Sequence, residues 1–151
     1  MSFSIGIEKR LRRVDNMDTL TSKQRSARMR LVKSVDTKPE LKLKRLVRNL
    51  GYPPRKNKTV VIGKPDIVFA GRRCAIFLHG CFWHRHVCHA GQRTPKSRVQ
   101  FWKNKFTSNV NRDKFVASQL KKNGWRALVV WECELKNPAK VSRRVKRFLN
   151  A

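Results

Sequence analysis

Residues Phe77–Cys88 read F-L-H-G-C-F-W-H-R-H-V-C, and these twelve positions hold two cysteines, three histidines and the aromatic pair Phe82-Trp83. Packing alone does not explain that density. The stretch begins inside an apolar run, Cys74–Leu78, which reads as a central strand, and Gly80 breaks it, so a loop rich in ligand-type side chains follows the strand. Thiolate and imidazole are donors that zinc prefers, and Cys81, His86 and Cys88 are close enough to share one tetrahedral ion if a fourth ligand arrives from elsewhere. Cys133 is the candidate for that fourth position. With four protein ligands no position is left for water, so the expected role of Zn²⁺ is structural: it staples the aromatic loop to a distant strand. Cys74, inside the apolar run, reads as a small buried hydrophobe.

Working outward, the flanking pattern is that of an α/β protein. Thr59–Ile62 and Asp66–Phe69 are short β-branched runs separated by Gly63-Lys64-Pro65, Ala70–Arg73 is a turn, and Arg126–Trp131 is a third apolar strand. Thr21 with Gln24 forms a capping-box signature opening a basic helix through about Lys33. Thr37-Lys38-Pro39-Glu40 repeats it, followed by Leu43, Leu46, Val47 and Leu50 at helical spacing and a stop at Gly51. Val99, Trp102, Phe106, Val110, Ala117 and Leu120 mark a long helix ending at Gly124, and Asn137-Pro138 opens a last helix with Val141, Val145, Phe148 and Leu149 on one face.

A chain of 151 residues suits one ordinary core, so residues 19–151 are expected to form a single domain, with residues 1–18 a basic, disordered extension. Met17, just ahead of the first helix start, is a second candidate initiator. Lysine and arginine total 37 against 9 acidic residues, a formal charge of +28. Self-repulsion of that size is usually tolerated because the partner is a polyanion, and nucleic acid is the first expectation. No apolar run is long enough to span a bilayer, and the basic residues are spread along the whole chain, which places a membrane surface well behind. The start of the chain lacks a secretory signal, so an intracellular, cytoplasmic location with reduced cysteines is expected, and reduced cysteines favour metal ligation over disulfides.

A second constellation gathers acids and an imidazole. Asp66 stands beside apolar strands, His84 lies in the ligand-rich loop, and Glu40 and Asp113 are available from helices. Glu40 reads on its own as a capping residue. Asp113 falls on the apolar stripe of the long helix, where a charge is expensive unless it is paired or serves a site. Phosphodiester hydrolysis needs a cation to neutralise phosphate and a base to activate water, and an aspartate with a histidine supplies both.

The blocks G-K-P-D-I-V-F (63–69), R-C-A-I-F-L-H-G-C-F-W-H-R-H-V-C (73–88), F-W (101–102) with N-V-N-R-D (109–113), and G-W-R-A-L-V-V-W-E-C (124–133) resemble the very-short-patch (Vsr) repair endonucleases. The resemblance covers roughly Thr21 to the C-terminus. It implies a restriction-endonuclease-like fold related to the PD-(D/E)XK class: a mixed central sheet flanked by helices. It implies that Asp66 binds catalytic Mg²⁺ together with the main-chain carbonyl of Leu78, where the family often has threonine. His84 matches the catalytic histidine, Glu40 and Asp113 match supporting acids, and Cys81, His86, Cys88 and Cys133 match zinc ligands. Phe82, Trp83 and Trp102 match an aromatic wedge inserted beside the mismatch.

The implied activity is Mg²⁺-dependent, strand-specific nicking of double-stranded DNA 5′ of the thymine in a T:G mismatch, the lesion left when 5-methylcytosine deaminates. The chain is read as a monomer, with mismatch-repair proteins as further partners that the family suggests. A nuclease of the same fold with another DNA target, and a zinc-stapled DNA-binding protein without catalysis, are the alternatives, which nicking with Mg²⁺ and its loss in EDTA separate.

Overall fold

Among the described residues the sheet has three strands, β1 (Ile67–Phe69), β2 (Cys74–His79) and β3 (Arg126–Trp131), in the order β1-β2-β3. The computed structural model describes residues 36–54 and 61–151, with Thr21, Lys23, Gln24 and Ala27 before them. β1 and β2 run antiparallel, Ile67 opposite Ile76 and Phe69 opposite Cys74, joined by a 3-10 turn at Ala70–Arg72. β2 and β3 run parallel, Cys74 opposite Arg126 and His79 opposite Trp131. A parallel return needs a crossover, and the chain makes it through a long helix. Among the described residues from Asp36 onward the helices are α1 (Lys38–Asn49), the short α2 (His89–Gln92), the crossover α3 (Val99–Lys122) and α4 (Pro138–Asn150).

Alternation along β2 decides which core each side chain joins. Cys74, Ile76 and Leu78 pack with Leu43 and Val47 of α1 and with Val141, Val145 and Leu149 of α4. Ala75 and Phe77 pack on the other face with Leu120 and Val116 of α3. Helices thus cover both faces of a mixed sheet, and β2, buried on both sides, reads as a nearly continuous apolar run for that reason. Cys74 is fully buried, as expected.

The caps follow the sequence signatures. Thr37 Oγ1 accepts from the Glu40 backbone N–H at 3.4 Å and donates to Glu40 Oε1 at 3.0 Å, and Gly51, at φ +86°, stops α1. Asn137 Oδ1 accepts from the Lys140 N–H at 3.1 Å to open α4. At the other end of α4, Arg72 donates to the Leu149 carbonyl at 2.9 Å and Arg126 to the Phe148 carbonyl at 3.0 Å, so cations meet the negative end of the helix.

Two expectations shift. Val61 and Ile62 lie in a turn rather than a strand, because Gly63, at φ +83°, turns the chain onto α3. On α3 the packed stripe is Trp102, Phe106, Asn109, Asp113, Val116 and Leu120, whereas Val99 and Ala117 are exposed. The steps of four and three between these residues follow the helical period, and Ala117 falls one position out of phase with them. The chain divides into two compact units, Met1–Val32 and Lys33–Ala151. In the first, Thr21 and Gln24 make the expected reciprocal cap, Thr21 N–H to Gln24 Oε1 at 2.8 Å and Gln24 N–H to Thr21 Oγ1 at 3.3 Å. The extension 1–18, Met17, the basic helix from residue 28 to 33, the loop from 55 to 58 and the start of the run at Thr59 lie outside the described residues. No described helix is long and apolar enough to cross a membrane.

Candidate active site and metal centre

β1 ends its pairing at Ile67 opposite Ile76, and two residues further along β2 the Leu78 N–H meets the Asp66 carboxylate instead, donating to Oδ2 at 2.7 Å. In a strand the N–H and C=O of one residue face the same side, so the Leu78 carbonyl also opens toward Asp66. The Asp66 carboxyl is held above its usual range, chiefly by burial and further by the charge of Glu40, against the Leu78 N–H and Lys44, which lower it. Asp66 lines a cleft together with Glu40 and Leu78, where oxygen donors are of the kind that Mg²⁺ takes, and the cost of charging Asp66 is the cost that a divalent cation relieves.

Asp66 and Glu40 share a cleft of about 310 Å³ with His79, His84 and Asp113. His84 Nδ1 lies 2.5 Å from Asp113 Oδ2. Ionised aspartate only accepts, so Nδ1 carries the proton and Nε2 is left as a base. The His84 ring also stacks on His79, with centroids 3.9 Å apart and planes 12° from parallel. Burial first, then the neighbouring His84, hold the His79 pKa down to about 4, so His79 is neutral near pH 7.

The loop that carries His84 into this cleft also feeds a second cluster. Cys81, His86, Cys88 and Cys133 place their ligand atoms within 4.8 Å of one another. Tetrahedral zinc with Zn–S near 2.3 Å and Zn–N near 2.05 Å separates sulfur from nitrogen by about 3.6 Å. Cys133 Sγ and His86 Nδ1 are 3.5 Å apart. Burial pushes the Cys81 thiol up to about 12, whereas the contact with His86 draws the partly exposed Cys88 down to about 6. The donor set, spacing and partial shielding fit a metal centre.

Arg85, at φ +56°, turns the chain between His84 and His86 so that the two imidazoles serve different sites. Its guanidinium lies 4.4 Å above the Phe106 ring and donates to the Arg93 carbonyl at 2.7 Å, holding the segment after Cys88 in place. Gly91 in that segment has no room for a side chain: a Cβ there would lie 2.0 Å from the His86 carbonyl oxygen. Gly91→Ala is therefore expected to displace a ligand-bearing main chain, costing about 1–3 kcal/mol. Thermal melting and metal analysis check it; an unchanged melting temperature with full metal content would show that the segment yields freely.

Phe82 is the hub of an aromatic knot, with ring centroids 5.1 Å from Trp83, 5.6 Å from Trp102 and 5.1 Å from Phe106. Trp83 and Trp102, both half-buried, sit on its rim, 5.9 Å apart.

All the expected site residues thus fall into one cleft, one cluster and one knot. Three contributors were not singled out from sequence. His79, in the sequence only one of three histidines in Phe77–Cys88, faces the cleft because of its place in the β2 alternation. Trp131 stacks on His86 at 4.4 Å and meets His79 edge-on at 5.3 Å, bridging cluster and cleft. Asn109, 7% exposed, donates to the Trp83 carbonyl at 3.0 Å. A buried polar residue in phase with an apolar stripe was the available signal for Asn109, as it was for Asp113.

A cleft combining carboxylates with a histidine–aspartate couple, on an α/β chain carrying +28 charge, suits hydrolysis of a polyanion. The family model described as DNA mismatch endonuclease Vsr matches residues 17–90. The DNA mismatch endonuclease Vsr of Escherichia coli K12 is 41% identical over 118 residues, covering 78% of this chain and 75% of that protein. The type II nicking enzyme V.XorIIP of Xanthomonas oryzae pv. oryzae is 40% identical over 133 residues, covering 88% and 97%. The type II nicking enzyme V.NmeAIP of Neisseria meningitidis is 41% identical over 132 residues, covering 87% and 94%. The chain belongs to the Vsr family of DNA mismatch endonucleases.

Proposed function

We propose that this endonuclease nicks one strand of duplex DNA 5′ of the thymine in a T:G mismatch, with catalytic Mg²⁺ and structural Zn²⁺, on a scaffold of the restriction-endonuclease type. The observation that carries the reading is the division of labour along one loop. Phe82 and Trp83 join the knot, His84 meets Asp113 in the cleft, and His86 joins the thiols. A mismatch reader, a hydrolytic base and a metal staple are thereby linked within a few residues.

In the cleft, Asp66 and the Leu78 carbonyl would hold Mg²⁺, which when bound neutralises the scissile phosphate and favours ionisation of water. Leu78 N–H fixes the Asp66 carboxylate. Asp113 orients His84 and stabilises the imidazolium formed as Nε2 takes a proton from water. Glu40, tied to Thr37, adds negative potential that favours the cation. Cys81, His86, Cys88 and Cys133 would hold Zn²⁺, which ties the loop to the end of β3.

The test is nicking of end-labelled duplexes that differ only in the mismatch and its flanks, with Mg²⁺ and without it. Cleavage confined to T:G and dependent on Mg²⁺ supports the reading. Equal nicking of paired DNA would assign another target, and binding without nicking would make the protein a DNA binder.

The wedge makes a separate forecast. Inserting an aromatic ring costs unstacking of a few kcal/mol, less at a mismatched step, so the ring itself discriminates. Trp83→Ala should weaken T:G binding by about 1–3 kcal/mol while paired-duplex binding, carried by lysine and arginine, hardly changes. Phe82→Ala, removing the hub, should lower the melting temperature as well. Both affinities at one salt concentration, with thermal melts, check this; a stable Trp83→Ala protein with unchanged T:G preference removes the wedge role.

A further inference from the structure

The cleft presents three acids, Glu40, Asp66 and Asp113, to a substrate that is itself an anion. Repulsion between them and a phosphodiester grows as the closing interface excludes water, so the phosphate needs cations of its own. Several of the described cations are engaged elsewhere in the fold. Lys42 donates to the Leu135 carbonyl at 2.7 Å, Lys44 pairs with Asp36 at 2.9 Å, and Arg144 pairs with Glu134.

Among the described residues, the lysine and arginine that line the cleft itself are Lys64 and Arg112. The Lys64 ammonium has no hydrogen-bond or ion-pair partner among the described residues. Arg112 approaches a carboxylate only at 3.9 Å, to Asp113 Oδ1, and its side chain is 62% exposed. They come from different elements that the packing brings to one lip. Gly63 sits so tightly on α3 that a Cβ would lie 2.4 Å from Val116 Cγ1, and Arg112 is one helical turn before Val116 on that face. Lys64, next to Gly63, closes its turn with its N–H on the Val61 carbonyl at 3.2 Å and holds φ +52°, a conformation unusual for a lysine.

We propose that Lys64 and Arg112 form a two-cation clamp that grips a single backbone phosphate at the mouth of the cleft, positioning the strand against Asp66 and His84. The clamp rests on the nuclease reading of the cleft. It contributes to binding and register and reads no base.

The test uses the full-length protein and a labelled T:G duplex in magnesium-free buffer. Lys64→Ala and Arg112→Ala are each expected to weaken binding about 5–20-fold and to reduce the salt slope by about one. Lys64→Arg and Arg112→Lys should restore most of the affinity. Neutral methylphosphonates are then placed at one phosphate after another along the thymine strand. One position should cost the wild type a similar factor and cost the alanine variants almost nothing more. Unchanged affinity and slope, or a loss coupled to no single position, would overturn the clamp. Nicking with Mg²⁺ is read on the same unmodified duplex: a coupled phosphate without T:G nicking keeps the clamp and removes the proposed specificity, whereas T:G nicking without coupling does the reverse.

Discussion

Asp66→Asn is expected to lower single-turnover nicking of a T:G duplex by about 10³-fold or more, equivalent to about 4 kcal/mol of transition-state stabilisation, while duplex affinity changes little. The asparagine is preferred to alanine because its side-chain oxygen still accepts from the Leu78 N–H, which alanine would leave unsatisfied at a cost of about 1–3 kcal/mol. A further result follows from the direction of the Asp66 shift. Its folded pKa lies above the unfolded value, so the ionised carboxylate costs stability above that pKa, and stability returns as pH falls through it. At pH 7.5 without added magnesium, Asp66→Asn should therefore melt at or above the wild-type temperature. A variant that loses cleavage and binding in equal measure, or that melts well below the wild type, would show that Asp66 is an architectural residue rather than a cation ligand.

Cys133→Ser should abolish stoichiometric zinc and strip several kcal/mol from folding, since apparent binding energies of about 10–16 kcal/mol are reached when zinc assembles small domains. Cys133 sits in the 3-10 turn Glu132–Lys136 after β3, while the other three ligands lie in the loop after β2. Losing it would release that loop from the third strand, and with it the knot and His84, so folding and nicking should fail together. Elemental analysis should find one zinc per wild-type chain. Cys74→Ala is the control: Cys74 lies in the core with its sulfur beside Arg126, and the variant should keep full zinc at some cost in stability. A zinc-free wild type that is well folded, or a Cys133→Ser protein that melts normally, would refute the staple.

Much of this architecture was legible because it is written in local periodicity. The β2 run, the β3 bounds from Arg126 to Trp131, and the caps at Thr37 and Asn137 depend on backbone geometry within a few residues. Cys81, His86 and Cys88 were legible for the same reason, since ligands that close in sequence can converge without help from the rest of the fold. The family resemblance added Asp66, Glu40 and the wedge, which composition and spacing left open.

What the sequence by itself determined, then, is the two longer strands and three longer helices, the polyanionic partner expected from its charge, and a ligand-rich loop after a buried strand. Tertiary structure decided which side chains meet. His84 reaches Asp113 across 29 positions of sequence, and His86 reaches Cys133 across 47. Those encounters depend on the parallel register that sets His79 opposite Trp131 and on the rotation of α3 that turns Asn109, Asp113 and Val116 inward together. A one-residue slip of the strand would send His79 to the α1 face, and a 100° turn of the helix would carry Asp113 away from the cleft. Neither quantity has a local signature, because register and rotation are settled by the packing of whole faces against one another.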